Sequence, residues 1–380
     1  LVDLEHELFE WTSRFDLRLV ALPESLRTVI QLDESDANHT PRLATQLRID
    51  RYYASSEEDK KKLAVSMNIN DPQKELSFPS DTPARRRIAA QEQETVIVEY
   101  KPHATWLLQD QKKLEEAKEV ISSLASALSF VDPTVIGLLK CRGYFHEDSK
   151  DNPRFGLVFE KPFALPKVNP KTLKDILNAK DDQGKRLTAM HSLSQRLILA
   201  RRIASAVYFL HAIGWYHKSI RSDNILMLEL ESLPAQDSFP HALSHPYLVN
   251  FESARADTAT TDLSLAQKED QWHLNVYRHP KRQGKNISDR FTMAHDVYSL
   301  GVVLLEIGLW RPFERYEKTL KGKDASAVCE ELIAMATSAA IQMGSKYKAL
   351  VIWCLNLEDE NLGTIGYTKE VMEKLEEIIM

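Results

Sequence analysis

Within eight consecutive positions the chain sets an imidazole, an ammonium, a hydroxyl and a carboxamide. These are His217, Lys218, Ser219 and Asn224, in the run His217-Lys218-Ser219-Ile220-Arg221-Ser222-Asp223-Asn224. Histidine exchanges a proton near neutral pH, and lysine is a compact cation suited to phosphate. An asparagine oxygen can approach a hard cation but lacks the charge of a carboxylate. Ser219 is not ionised at neutral pH and cannot accept a proton as a carboxylate does. Other candidates stand apart from this run. Lys101 ends Thr95-Val96-Ile97-Val98-Glu99-Tyr100-Lys101, Asn250 opens Asn250-Phe251-Glu252, and Lys281 and Asp296 follow. A backbone cradle for phosphate needs glycine, because only glycine lets N–H groups approach closely. None of the twelve glycines precedes Gly137, and none lies between Gly214 and Gly284.

The elements that must position these residues are legible as periodicities. Residues 193–211 form an apolar helical run closed by Gly214, and 225–228 read as a short strand after the polar loop. The β-branched run 95–101 reads as a strand stopped by Pro102. A long helix is expected over 105–130, with Leu107, Leu114, Ala117, Ile121, Leu124 and Leu128 as its buried stripe. Strands are expected near 138–145, 154–160 and 247–251, with 159–162 as a hinge. From 173 onward the chain is expected to be mainly helical, including an apolar helix over 294–306 and a last helix over 369–380. Upstream, Leu1, Leu4, Leu8, Trp11 and Phe15 recur at helical spacing. A second helical stretch is expected over 43–70, carrying Lys60-Lys61-Lys62. Residues 71–83, with three prolines and no helical period, read as a linker.

Composition narrows the class. Apolar residues at 43% support a sizeable core, and charged residues at 27% fit an ordinary globular chain. A formal net charge of −6 gives no support to nucleic-acid binding. No apolar run is long enough to cross a bilayer. Cys141, Cys329 and Cys354 are few, odd in number and widely spaced, so a reducing, cytoplasmic setting is expected. The chain opens on Leu1 rather than Met, which points to a piece of a longer protein.

The spacing H-x-x-apolar-x-x-x-N at 217–224 resembles the catalytic loop of protein kinases, H-R-D-L-x-x-x-N. Two more motifs carry the resemblance. Tyr277-Arg278-His279-Pro280-Lys281 is similar to the family's Y-x-x-P-E, and Asp296-Val297-Tyr298-Ser299-Leu300-Gly301 to the helix whose aspartate holds the loop. The resemblance spans about residues 80–380. It implies an α+β, bilobal protein-kinase-like fold: a small β-rich lobe with one long helix over 84–162 and a large helical lobe over 163–380. A helical segment over 1–70 and the linker 71–83 precede it. The order also looks like that of fungal kinase-like domains that follow a HeLo (prion-inhibition) helical domain.

The same resemblance marks what is missing. Ser219 stands where the family has its catalytic aspartate, and Lys218 replaces the loop arginine. Asn250 replaces the magnesium-binding aspartate, Glu252 the following glycine. Lys101 is the candidate nucleotide lysine, although Glu99 sits where the strict motif would put it. Ala117 falls at the helix glutamate's place, with Glu116 beside it. Lys101, Asn224 and Asn250 are therefore the candidate nucleotide-facing residues. Asp296, Phe251 and Lys281 are candidate structural positions, Lys281 facing one of Glu358, Asp359 or Glu360. Thr258, Thr260, Thr261 and Ser264 are candidate modification sites. No cofactor is expected; ATP binding stays open, and magnesium is not expected. The implied function is a pseudokinase that regulates an attached helical effector region or binds a protein partner. Membrane contact would come only through the N-terminal helical region. A weakly active or atypical Ser/Thr kinase, and an adaptor with a closed nucleotide cleft, remain as alternatives.

Overall fold

Alternation along one strand sets the geometry of the whole site. The computed structural model describes residues 40–58, 60, 65–66, 86–91, 94–149, 153–162, 168–230, 234–256, 272–283, 290–357 and 362–379. Helix α1 is Thr40–Ala54, followed by the two-residue strand β1, Val65–Ser66. Strands β2 (Arg86–Gln91) and β3 (Glu94–Pro102) form an antiparallel pair. Helix α2 (Gln111–Ser129) then crosses to β4 (Cys141–Glu147) and β5 (Arg154–Glu160). The sheet order is β1-β4-β5-β3-β2, antiparallel except where β1 runs parallel to β4. Side chains alternate across a strand. Val96, Val98 and Tyr100 therefore share one face of β3 with Val158 in a small apolar cluster against Phe145. Ile97, Glu99 and Lys101 point the other way, Ile97 into the main core.

The second part is built on strand β6 (Val168–Thr172), helix α3 (Leu173–Asn178), helix α4 (Leu193–Ala212), and strands β7 (Trp215–Tyr216), β8 (Ile225–Leu230), β9 (Pro246–Leu248) and β10 (Arg255–Ala256). Strand β8 is the middle of β6-β8-β9, and β10 pairs with β7. At the centre lies helix α5, Met293–Leu309, in which every residue from Met293 to Gly308 is buried. It packs on α6, Ala325–Leu355, which is two helical stretches joined at Gly344. Gly344 has φ +82, a left-handed conformation that only glycine adopts readily. At the crossing, a Cβ on Gly301 would stand 2.6 Å from Cβ of Cys354, so α5 and α6 approach too closely for any side chain there. The architecture is α+β.

Several boundaries differ from the sequence reading. Among the described residues the expected 43–70 helix is interrupted: α1 ends at Ala54, helix resumes at 57–58 and 60, and Val65–Ser66 extends the β4 edge as a strand. That pairing is tertiary and leaves no local period. The 105–130 helix divides in two. Residues 105–109 form a single 3-10 turn that buries Leu107, and Asp110 then caps α2 by accepting from Lys113 N at 3.1 Å. The expected 138–145 strand begins only at Cys141, and Leu138 and Leu139 are buried before it. The 247–251 strand stops at Leu248, because the chain turns at Asn250 in a left-handed conformation. The region after 173 holds more strand than expected, since β8 is apolar enough to be a central strand. The last helical stretch starts at Thr364 and ends near Glu376.

Helix α1 is tied to α4 by two hydrogen bonds: Tyr53 Oη donates to Ala212 O and Tyr208 Oη to Gln46 Oε1, each at 2.6 Å. Arg48 also pairs with Asp132 at 2.9 Å, and Ile49 belongs to the main core. Of the triple-lysine run only Lys60 is described; it lies 4.5 Å over the Tyr52 ring and pairs with Glu57. The 1–30 stripe, Lys61, Lys62 and the 71–83 linker lie outside the described residues, as do Thr258, Thr260, Thr261 and Ser264. No single helix among the described residues is long and apolar enough to cross a membrane.

Candidate functional site

The loop 217–224 is shaped by one buried carboxylate. Asp296, fully buried on α5, accepts from His217 N at 2.8 Å, Lys218 N at 2.9 Å and His211 Nε2 at 3.1 Å. Burial alone would raise its pKa, but the His211 hydrogen bond, with His211 and His217 nearby, outweighs burial and holds the carboxyl below its ordinary value. The two N–H bonds also fix Lys218 at φ 64, a conformation that costs a non-glycine residue on the order of 1 kcal/mol or more. Asp296 thus sets the direction in which His217, Lys218 and Ser219 leave strand β7.

Three of the candidate residues form one chain of hydrogen bonds. Asn224 Nδ2 donates to Ser219 O at 2.7 Å and to Ser219 Oγ at 2.9 Å. Asn250 Nδ2 donates to Asn224 Oδ1 at 2.9 Å. Both ends of the Asn224 amide are engaged, and Asn224 is buried. The Val249 N–H also donates to Asn224 O at 2.9 Å, which holds the 249–251 turn against the loop.

The small sheet closes on the same turn. Glu99 Oε1 accepts from Asn250 N at 2.7 Å and Glu99 Oε2 from Phe251 N at 3.2 Å. Lys101 Nζ reaches Phe251 O and Ala254 O, each at 3.4 Å. Both side chains are buried. Because 99 and 101 share a face of β3, acid and base descend together onto 250–254. Phe251 stacks on Phe159 with centroids 6.2 Å apart and meets the His217 ring edge-on at 5.2 Å. An aromatic column therefore runs from the end of β5 through the turn to the loop that Asp296 holds.

Glu99 was the residue missed from sequence. Its signal was the period of two that puts it beside Lys101; what hid it is a partner 151 residues away. Glu116 is exposed and Ala117 buried, so Glu116 does not face the sheet's inner side. His211 had no signal beyond lying one helical turn before Gly214. The side chain of Glu252 and residues 358–360 lie outside the described residues, and with them the expected partner of Lys281. Removing the Glu99 carboxylate leaves two buried N–H groups without their acceptor. Glu99→Ala is expected to cost about 2–4 kcal/mol in urea unfolding, and Glu99→Gln, which keeps one acceptor, about half as much.

These donors can be weighed against magnesium and ATP. A hard dication takes charged oxygens, whereas the site offers two amides already bonded to each other and a hydroxyl that accepts from one of them. No group of three His, Cys, Asp or Glu side chains that could hold a metal occurs among the described residues. Among the described residues, the donor set around Ser219, Asn224 and Asn250 does not fit a magnesium–phosphate complex. In sequence, no protein-family model and no curated protein matches this chain.

Proposed function

We propose that this chain is a kinase-like module without phosphotransfer, a pseudokinase that regulates an attached helical region or binds a protein partner. The order of elements supports a bilobal kinase-like reading: a strand pair, a long helix, two antiparallel strands, then a helical part with the 217–224 loop before β8. One observation carries the functional reading. Ser219, Asn224 and Asn250 are bonded to one another, and Glu99 closes on the backbone of the same turn. Where a phosphotransfer site needs ionised oxygens to hold a metal and accept a proton, this one has neutral groups engaged internally. The helical region being regulated includes α1, which is anchored on α4. Three free cysteines, two of them buried, agree with a cytoplasmic setting.

The adaptor reading, with a closed nucleotide cleft, is favoured by Lys101, which reaches the carbonyls of Phe251 and Ala254. Melting with ATP, in magnesium and in EDTA, tests both. The pseudokinase reading expects any shift to be the same in the two buffers. No shift at all favours the adaptor. A rise that appears only with magnesium contradicts both.

A further inference from the structure

Away from the loop, two imidazoles meet nitrogen to nitrogen. His103 follows the end of β3 and is buried; His146 lies on β4 and is half-buried. Strand β5 runs between β4 and β3. The two side chains reach each other across Phe155 of β5, whose ring centre lies 5.1 Å from that of His103 and 4.7 Å from that of His146. Their Nε2 atoms are 3.0 Å apart, while the ring centres are 5.2 Å apart and the planes 23° from parallel. The nitrogens are much closer than the ring centres, so the rings meet edge to edge through nitrogen. An in-line metal ion would need the nitrogens about 4 Å apart, whereas a hydrogen bond fits. His103 Nδ1 is 3.1 Å from Ala104 O, which can only accept, so Nδ1 carries the hydrogen and the Nε2 lone pair faces His146. His146 Nε2 is therefore the donor. The His103 N–H donates to Pro153 O at 3.1 Å, and from there the chain enters the 105–109 turn and α2.

We infer that His103 and His146 form a pH-sensitive clasp, which holds the entry to α2 against β4 while the pair carries at most one extra proton and opens when both rings are charged. The first extra proton can add to His146 Nδ1, and the His146 Nε2–H still donates. The second must add to His103 Nε2, where it meets the His146 N–H head on, and the two adjoining cations repel. The surrounding charges do not remove this conflict. Burial, then His103, then Lys118 of α2 disfavour the charged His146, while Asp148 and Glu115 favour it; the balance holds its pKa below the ordinary value. Glu115 and Lys118 pair with each other at 2.8 Å, as do Glu147 and Arg154 at 2.7 Å. Lys101, opposite Phe155 on β3, is directed to the Phe251 and Ala254 carbonyls. An unfolded chain takes a proton on each ring near pH 6.5. The clasped pair takes fewer, so acid opens it. The clasp stands independently of the pseudokinase reading.

Ring-nitrogen NMR of the whole chain, from about pH 7.5 to about pH 4.5, follows the two histidines. Two proton-uptake steps are expected, the second at least about one pH unit below the first. Two rings that each charge in a single step near pH 6.5 overturn the proposal. Amide hydrogen exchange reads the clasp itself. Protection over 103–109, corrected for the intrinsic pH dependence of exchange, should fall about tenfold between about pH 7 and about pH 4.5, while α5 keeps its protection. The double variant His103→Gln, His146→Gln has no ring to charge there and should show no such fall, whatever its protection at neutral pH. Parent protection that holds in acid, or an equal fall in the double variant, overturns the proposal. Should the double variant not fold, the ring titration and exchange of the parent decide the matter.

Discussion

Asp296→Ala is expected to lower the unfolding free energy by about 3–5 kcal/mol, the range for removing one member of a buried charged network. Three donors lose their acceptor at once: His217 N, Lys218 N and His211 Nε2. The first two hold a left-handed lysine in place, so the loop should relax as well as the core. Asp296→Asn keeps the volume but turns one acceptor into a donor facing N–H groups, and should recover little. Urea unfolding of the two variants measures this. The parent's pH dependence follows in sign. The Asp296 carboxyl is held below its unfolded pKa, so its contribution is complete above about pH 4 and is lost as pH falls through the lower folded value. A loss under 1 kcal/mol in Asp296→Ala would mean the loop is held by something else.

Glu306→Gln should remove most of the fall in stability that the protein shows between about pH 7 and 8. Glu306 is fully buried on α5, accepts from Phe313 N at 3.1 Å, and lies close to Tyr277 and Ser222. Burial raises its pKa to about 8, while those neighbours oppose the shift. The folded carboxyl therefore keeps its proton up to about pH 8, where the unfolded one has lost it above about 4.3. The folded state binds the extra proton in this window, so stability falls as pH rises, by about 1.4 kcal/mol per unit at most. His191 and His295, both lowered to about 4 by burial, act in the opposite sense between about 4 and 6.5. From about pH 7 to 8 the histidines have finished titrating, and the buried thiols Cys141 and Cys354, pushed up to about 12, add only a smaller fall in the same direction as unfolded thiols begin to ionise. Over this interval the parent should lose on the order of 1 kcal/mol more than Glu306→Gln. Equal slopes in the two proteins would contradict a buried neutral carboxyl.

What could be read before folding was what repeats locally. The stripe Leu114, Ala117, Ile121, Leu124 and Leu128 is buried on α2 as its spacing required, and the apolar run around 294–306 is the buried central helix. The motif around Asp296 was visible in the sequence; that its carboxylate accepts from His217 N, Lys218 N and His211 Nε2 was not. Leu107 was misplaced because Asp110 interrupts the helix with a cap while the apolar period runs on through it. Val65–Ser66 could not be read as a strand, since two residues carry no alternation and only the β4 edge makes them one. The contacts that matter most for the site, Glu99 to Asn250 and Lys101 to Phe251, join positions about 150 apart in the chain. Their residue types were visible beforehand. Their pairing was not, because it depends on which face of β3 meets the 250–254 turn.

On the proposed reading, neutral groups stand where ionised oxygens would have to act in phosphotransfer. Incubation of the purified chain with radiolabelled ATP and magnesium, with and without a generic acceptor protein, addresses it most directly. The account predicts incorporation no greater than in the heat-inactivated chain, and no change on Lys101→Ala. Magnesium-dependent incorporation that Lys101→Ala abolishes would contradict it.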